Sequence, residues 1–180
     1  MAPSAYVDEA AELLAADERD RVVIVAGGAE RTESVQAGLA QLDDARYVLI
    51  HDAARCLTPS SVFEAVIAAL RQGAAAVVPG LAVTDTIKQI DGDGHVVATP
   101  ERSALRAIQT PQGFARDVID AAHARARASA ATATDDAALV ESLGLPVLVV
   151  PGDSLAFKIT VGADLDAAER LVRSQVVGAR

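Results

Sequence analysis

Cysteine is nearly missing from this 180-residue chain: Cys56 is the only one, which excludes a disulfide framework and any metal site built on cysteine. Tryptophan is absent and aromatics make up only 3%, against 51% hydrophobic residues. The core must therefore be built from Ala, Val, Leu and Ile, which suits helices packed on a parallel sheet. No apolar run reaches the length of a membrane span. The first residues lack a basic region leading into an apolar segment, so the expectation is a soluble, cytoplasmic protein without a membrane partner. Net charge is −9 with no basic block, which argues against nucleic acid as a partner. The three histidines, His51, His95 and His123, have no metal-ligand spacing, and no serine–histidine–acid arrangement is visible.

What the sequence does have is an alternation of apolar runs with helical periodicity. Val48-Leu49-Ile50 runs straight into His51-Asp52-Ala53-Ala54-Arg55. A short run of this kind reads as a buried strand of a parallel sheet, and ligands bind outside the carboxyl ends of such strands. Asp52 and Arg55 would then stand at the mouth of a site, with small residues between them. Before this stretch come a helix from Ser4 to about Asp17, a strand Val22–Ala26, the pair Gly27-Gly28 and a helix Glu30–Leu42. After it, Thr58 caps a helix with Pro59 at its first position, ended by Gly73. Ala74–Val78 reads as a strand stopped by Pro79-Gly80. Val83–Thr99 breaks the alternation: two alternating segments flank Asp91-Gly92-Asp93-Gly94, the pattern of a β-hairpin. An isolated hairpin is marginally stable in water, so a second subunit is its natural support. Ile108–Phe114 reads as a polar returning loop and Arg116 to about Ala128 as a helix. Ser129–Ala133 is a low-complexity link, and Thr134-Asp135-Asp136 caps a helix through Leu143. Val147–Val150 and Phe157–Thr160 read as strands, the second at an edge, and Asp164 to about Val177 as the last helix. The expectation is one α/β domain over residues 1–180 with a parallel central sheet covered on both faces.

The polar residues at predicted strand ends include Glu30, Arg31, Ser34, Asp52, Arg55, Thr86, Arg102, Thr110 and Lys158. Cations, hydroxyls and one acid suit a phosphorylated ligand with Mg²⁺, a chemistry of positioning and charge neutralisation. Taken singly, Lys158 reads as a solvated edge lysine, Arg102 as a surface arginine, Thr86 as a strand-propensity choice and Thr134 as a helix cap. The ordered set changes that. Gly-Gly-Ala-Glu-Arg-Thr-Glu-Ser-Val (27–35), His-Asp-Ala-Ala-Arg (51–55), Asp-Thr-Ile-Lys (85–88), Gln-Thr-Pro-Gln-Gly-Phe (109–114), Thr-Asp-Asp (134–136) and Phe-Lys-Ile-Thr (157–160) occur in this order. Together they resemble the 2-C-methyl-D-erythritol 4-phosphate cytidylyltransferase family of the non-mevalonate isoprenoid pathway, from about residue 20 to the end. Ribitol 5-phosphate cytidylyltransferases share much of the pattern and form the alternative.

The resemblance implies a Rossmann-like, mostly parallel fold of the nucleotide-diphospho-sugar transferase type with a hairpin dimerisation arm at about 83–103, and a role for each position. Gly28, Ala29, Ser34 and Ala53 would bind the nucleotide. Arg55, Thr86 and Thr110 would hold the sugar-alcohol phosphate. Lys158, Arg102 and Asp52 would be catalytic, with Arg102 on a hairpin arm that completes the site of a second subunit in a homodimer. The implied reaction is attack of the substrate phosphate on the α-phosphate of CTP, with Mg²⁺ held mainly by the CTP phosphates and no protein metal ligands. The family pattern also has a strand and a loop Ala-Ala-Gly-x-Gly-x-Arg followed by Pro-Lys, which cradles the triphosphate; these residues are not found here. That strand would lie beside Val48–Asp52, and unpaired backbone groups cost about 1–3 kcal/mol each. The expectation is a start internal to a longer product, a truncated form that folds poorly or refills the gap differently, or a non-catalytic substrate-binding and dimerisation remnant.

Overall fold

The structure is a computed structural model that describes residues 1–129 and 134–178. The low-complexity link Ser129–Ala133 lies, from Ala130 on, outside the described residues. Along the chain come α1 (Val7–Glu12), α2 (Arg31–Leu39), β1 (Tyr47–Ile50), α3 (Ser60–Arg71) and β2 (Ala76–Ala82). The hairpin strands β3 (Gln89–Ile90) and β4 (Val96–Ala98) follow, then β5 (Arg106–Ile108), β6 (Gln112–Ala115) and α4 (Arg116–Ser129). The last elements are α5 (Asp136–Ser142), β7 (Leu148–Pro151) and α6 (Gly162–Gly178). The chain divides into two compact units, Met1–Val48 with Ala115–Pro146, and Leu49–Phe114 with Val147–Arg180.

A five-stranded sheet has the order β1-β6-β2-β5, with β7 paired to β2, and β2, β5 and β7 lie in the second unit. β7 runs parallel to β2, in register from Val77↔Leu148 to Gly80↔Pro151. β5 and β6 run against β2. The class is α/β, as the alternation predicts, with the segment Arg106–Ala115 as an antiparallel return. That segment is a pair of strands and not the polar loop expected from its composition, because both halves find backbone partners along β2. β2 itself continues through Pro79-Gly80, where a stop was expected. Pro79 falls where β2 passes from its β6 partners at Ala76 and Val77 to its β5 partners at Gly80–Ala82. Its carbonyl still accepts the Gln109 N–H at 2.8 Å, so the missing proline donor falls at the change of partner.

Packing explains the rest of this unit. α3 presents Val62, Val66, Ala69 and Leu70 to the core, and these are buried with Val77, Val78 and Phe114. Full burial of each large aliphatic or Phe contributes roughly 1.5–3 kcal/mol. Gly113 lets β6 approach α3: a Cβ there would collide with Val66 Cγ1 and lie 2.9 Å from Leu70 Cδ1. α3 ends at Gly73, whose φ of +103° is the left-handed conformation expected of a helix-terminating glycine. Thr58 does not cap α3; its Oγ1 donates to the Arg55 carbonyl at 2.8 Å, and Pro59 takes the cap position. Phe157–Thr160 forms no strand; Ile159 N–H donates to the Ala54 carbonyl at 2.8 Å, and Thr160 N–H and Oγ1 donate to Asp164 Oδ2 at 2.9 Å.

In the first unit, α4 packs on α5 and on α2. Val35, Leu39, Ile119, Ala122, Leu139 and Val140 are buried there. The expected strand Val22–Ala26 reduces to a single parallel bridge between Ala2 and Ala26. Among the described residues no strand lies alongside to take up its backbone groups, and Val23 remains 68% exposed. The hairpin forms as its turn chemistry predicts. Asp91 Oδ1 accepts the Asp93 and His95 N–H groups, and Gly94 sits at φ +85°.

Candidate functional site

The end of β1 delivers His51 and Asp52 and then a single helical turn, Ala53–Arg55, closed by Arg55 N–H on the Asp52 carbonyl at 2.9 Å. That turn sets Asp52 and Arg55 on the same side: Arg55 Nε lies 3.8 Å from Asp52 Oδ2. Arg55 Nη1 donates to the Ala156 carbonyl at 2.7 Å, while its buried Nε has no hydrogen-bond partner among the described residues. Lys158 comes in on the segment tied to Ala54, and its Nζ reaches Asp52 Oδ2 at 3.2 Å. The cluster thus sets one carboxylate between two cations, a net positive centre in a chain whose overall charge is negative.

Two residues support this centre from the link between β5 and β6. Thr110 Oγ1 accepts the Asp52 N–H at 3.0 Å and lies 2.9 Å from His51 Nδ1. The His51 ring also leans on Phe63, centroids 5.0 Å apart. Burial is the main force that lowers the His51 pKa, against the opposing pull of the Arg55 carbonyl and the Asp52 charge. Gln109, buried, holds Asp153 at both ends of its amide: Oε1 accepts Asp153 N–H at 3.0 Å and Nε2 donates to its carbonyl at 2.8 Å. This fixes the Asp153–Ala156 turn whose carbonyl anchors Arg55.

Asp52, Arg55, Thr110 and Lys158 therefore stand together, and Ala53 is exposed beside them. Arg102 and Thr86 stand with the hairpin. Arg102 Nη1 donates to the Thr84 carbonyl at 2.7 Å. With Thr84, Glu101 and Arg106, Arg102 lines an open groove of about 720 Å³. Thr86 is exposed on the same strap.

Gly28, Ala29 and Ser34 gather in the first unit, where the chain turns into α2. Gly28 N–H donates to Ser34 Oγ at 3.1 Å, and Ala29 N–H to Glu33 Oε2 at 2.8 Å. Glu30 and Glu33 cap the helix reciprocally. A Cβ at Gly28 would collide with Glu33 Cβ, so the turn requires glycine.

Sequence reasoning missed His51, Gln109 and Asp153 as members of the site, and the pairing of buried His123 and Asp136 with Arg31. His51 lies inside the motif already singled out; Gln109 and Asp153 pair across 44 residues and Arg31 and Asp136 across 105, separations no local pattern reports.

Comparison with known proteins adds the family. The sequence model described as "IspD: 2-C-methyl-D-erythritol 4-phosphate cytidylyltransferase" matches residues 1–174. A Nocardia farcinica protein named 2-C-methyl-D-erythritol 4-phosphate cytidylyltransferase is 54% identical over 96% of this chain and 72% of its own length. A Frankia casuarinae protein of the same name is 51% identical over 95% of this chain and 62% of its own length. The chain thus spans roughly two thirds of the length of these relatives. Among solved structures, the Thermus thermophilus enzyme of that name has a TM-score of 0.75 at 41% identity, over 84% of this chain and 73% of its own. An Anaerococcus prevotii 4-diphosphocytidyl-2C-methyl-D-erythritol synthase has a TM-score of 0.85 at 31% identity, over 95% and 78%.

Proposed function

The chain belongs to the 2-C-methyl-D-erythritol 4-phosphate cytidylyltransferase family, a family of nucleotidyltransferases, and from that membership we propose that it joins CTP to 2-C-methyl-D-erythritol 4-phosphate. The products are 4-diphosphocytidyl-2-C-methyl-D-erythritol and pyrophosphate, in isoprenoid precursor biosynthesis. The observation that carries the reading is the Asp52–Arg55–Lys158 cluster, a carboxylate flanked by cations at 3.8 and 3.2 Å. Ribitol 5-phosphate is not favoured as substrate, since the relatives above carry the methylerythritol phosphate name.

In this reading an oxygen of the substrate phosphate attacks the α-phosphorus of CTP. The new O–P bond forms as the bond to the β-phosphate oxygen breaks, and its electron pair leaves with pyrophosphate. The nucleophile is already an anion, so no general base is required. The barrier is repulsion between anions, and fixed cations lower it. Arg55 and Lys158 supply that charge, Arg55 at the substrate phosphate and Lys158 at the reacting phosphates. Asp52 holds Lys158 in place, and Thr110 and His51 hold Asp52. Mg²⁺ takes oxygen ligands and is held mainly by substrate phosphates in sites of this kind. Asp52 is the carboxylate of the cluster that fits it, and the ion would spread the phosphate charge. Gly28, Ala29, Ser34 and Ala53 serve the nucleotide, and Thr86, Arg102 and Thr110 the polyol phosphate. The exposed apolar residues Ile87, Ile90, Val96 and Val97 on the hairpin suit a homodimer in which Arg102 serves the other subunit.

The test is pyrophosphate release from CTP and Mg²⁺ by this chain with each polyol phosphate. Release with methylerythritol phosphate, and at least about tenfold less with ribitol 5-phosphate, is expected. Release with neither, or with ribitol 5-phosphate alone, contradicts the reading.

A further inference from the structure

One buried ionisable group takes no part in this chemistry. Asp136 opens α5 and is 1% exposed, yet the helix is already capped by its neighbour: Asp135 Oδ1 accepts the Ala138 N–H at 2.9 Å. Burying a carboxylate is costly unless it is paired. Asp136 is paired twice. His123 Nε2 lies 3.0 Å from Oδ1, and Arg31 Nη1 lies 2.7 Å from Oδ2. Burial works to raise its pKa, but the His123 hydrogen bond and the Arg31 charge outweigh it and hold the carboxyl below the ordinary range.

The bonds around it run in one direction. Arg127 Nη1 donates to Gln36 Oε1 at 3.4 Å, which leaves Gln36 Nε2 to face His123 Nδ1 at 3.4 Å. With Nδ1 taken as acceptor, the ring donates through Nε2 to Asp136. The relay therefore grips α2 twice, at Arg31 and at Gln36, and ties it to α4 and α5. Arg31 is the first residue of α2, directly after the Gly28–Glu30 turn. The amides of that turn are aligned by Ser34 and Glu33 of the same helix.

We propose that Asp136 and Arg31 form a latch that positions the Gly28–Ser34 turn for the cytidine nucleotide, so that both are positioning residues for nucleotide affinity. The proposal rests on the nucleotide-side reading above. It makes a distinction that helix stability alone does not. Cutting the latch should weaken CTP and leave the polyol phosphate untouched.

The test uses the full chain with Arg31→Gln, Arg31→Lys and Asp136→Asn. Arg31 has a partly exposed side chain, so Arg31→Gln carries the test should Asp136→Asn fail to fold. Two readouts are taken: the ¹H–¹⁵N positions of the Gly28, Ala29 and Ser34 amides without ligand, and calorimetric affinities for Mg·CTP and for methylerythritol phosphate. Arg31→Gln is expected to move those amides and weaken CTP about tenfold, with the polyol phosphate unchanged. Arg31→Lys should recover part of the loss. The Arg31→Gln/Asp136→Asn double variant should bind CTP no worse than the weaker single, because both cut one interaction. A lower melting temperature with amides and CTP affinity in place would overturn the latch. Amides that move in a protein whose wild type binds no CTP would support the latch and overturn the nucleotide-side reading instead.

Discussion

His51 was legible only as part of a motif; its work is done through Thr110, 59 residues away. Asp52 and Arg55 were readable because a strand end followed by small residues is a local pattern, whereas a hydroxyl bridging an imidazole and a backbone N–H is not. The His51 pairing has a pH consequence. The unfolded chain takes up a proton near the ordinary histidine value of 6.5, but burial holds the folded value lower. The unfolded state therefore binds more protons over that interval. Stability is full above pH 6.5 and declines as pH falls toward the lowered value. Melting temperatures followed from about pH 8 to pH 5 should fall in the wild type and flatten in His51→Gln. Asp136 behaves with the same sign lower on the scale. Its contribution is complete above the ordinary carboxylate value and is lost as pH falls through its depressed one.

At the scale of elements, the helices were legible from apolar spacing and glycine stops, and the hairpin from Asp91–Gly94. Two strands were not, for a common reason. Thr110-Pro111 carries the signature of a turn and forms the bend between β5 and β6, whose flanking residues become strands by pairing with β2, which local propensity does not encode; Pro79-Gly80 carries such a signature too, yet stays within β2. Phe157–Thr160 errs the other way: its β-branched composition suits a strand, yet it forms none, and its Ile159 N–H donates to the Ala54 carbonyl in the turn after β1. Gly113 tests the packing at this level. Gly113→Ala places a methyl against Val66 and Leu70. It should cost about 1–3 kcal/mol in denaturant unfolding at unchanged slope, the usual penalty for overpacking. A neutral result would show that α3 and β6 are not tightly seated.

For the whole molecule, one hairpin stands out. Ile87, Ile90, Val96 and Val97 are exposed on a two-stranded ribbon with no third strand, which is marginal in isolation. On the proposed homodimer, Ile90→Glu with Val97→Glu should halve the mass seen by sedimentation while leaving the circular dichroism of the body unchanged, and a wild type that already sediments as a monomer would contradict that dimer. The α/β class and the family were legible before the structure, through six motifs in order. The anion centre itself became visible only once residues 52, 55, 110 and 158 were brought together. That centre is the core of the account, and one variant probes it directly. Lys158→Gln keeps length and removes the charge 3.2 Å from Asp52. The rate of methylerythritol-phosphate-dependent pyrophosphate release at saturation should fall about 10²- to 10³-fold, with KM for that substrate nearly unchanged. An unchanged maximal rate would contradict the assignment of this cluster as the reaction centre.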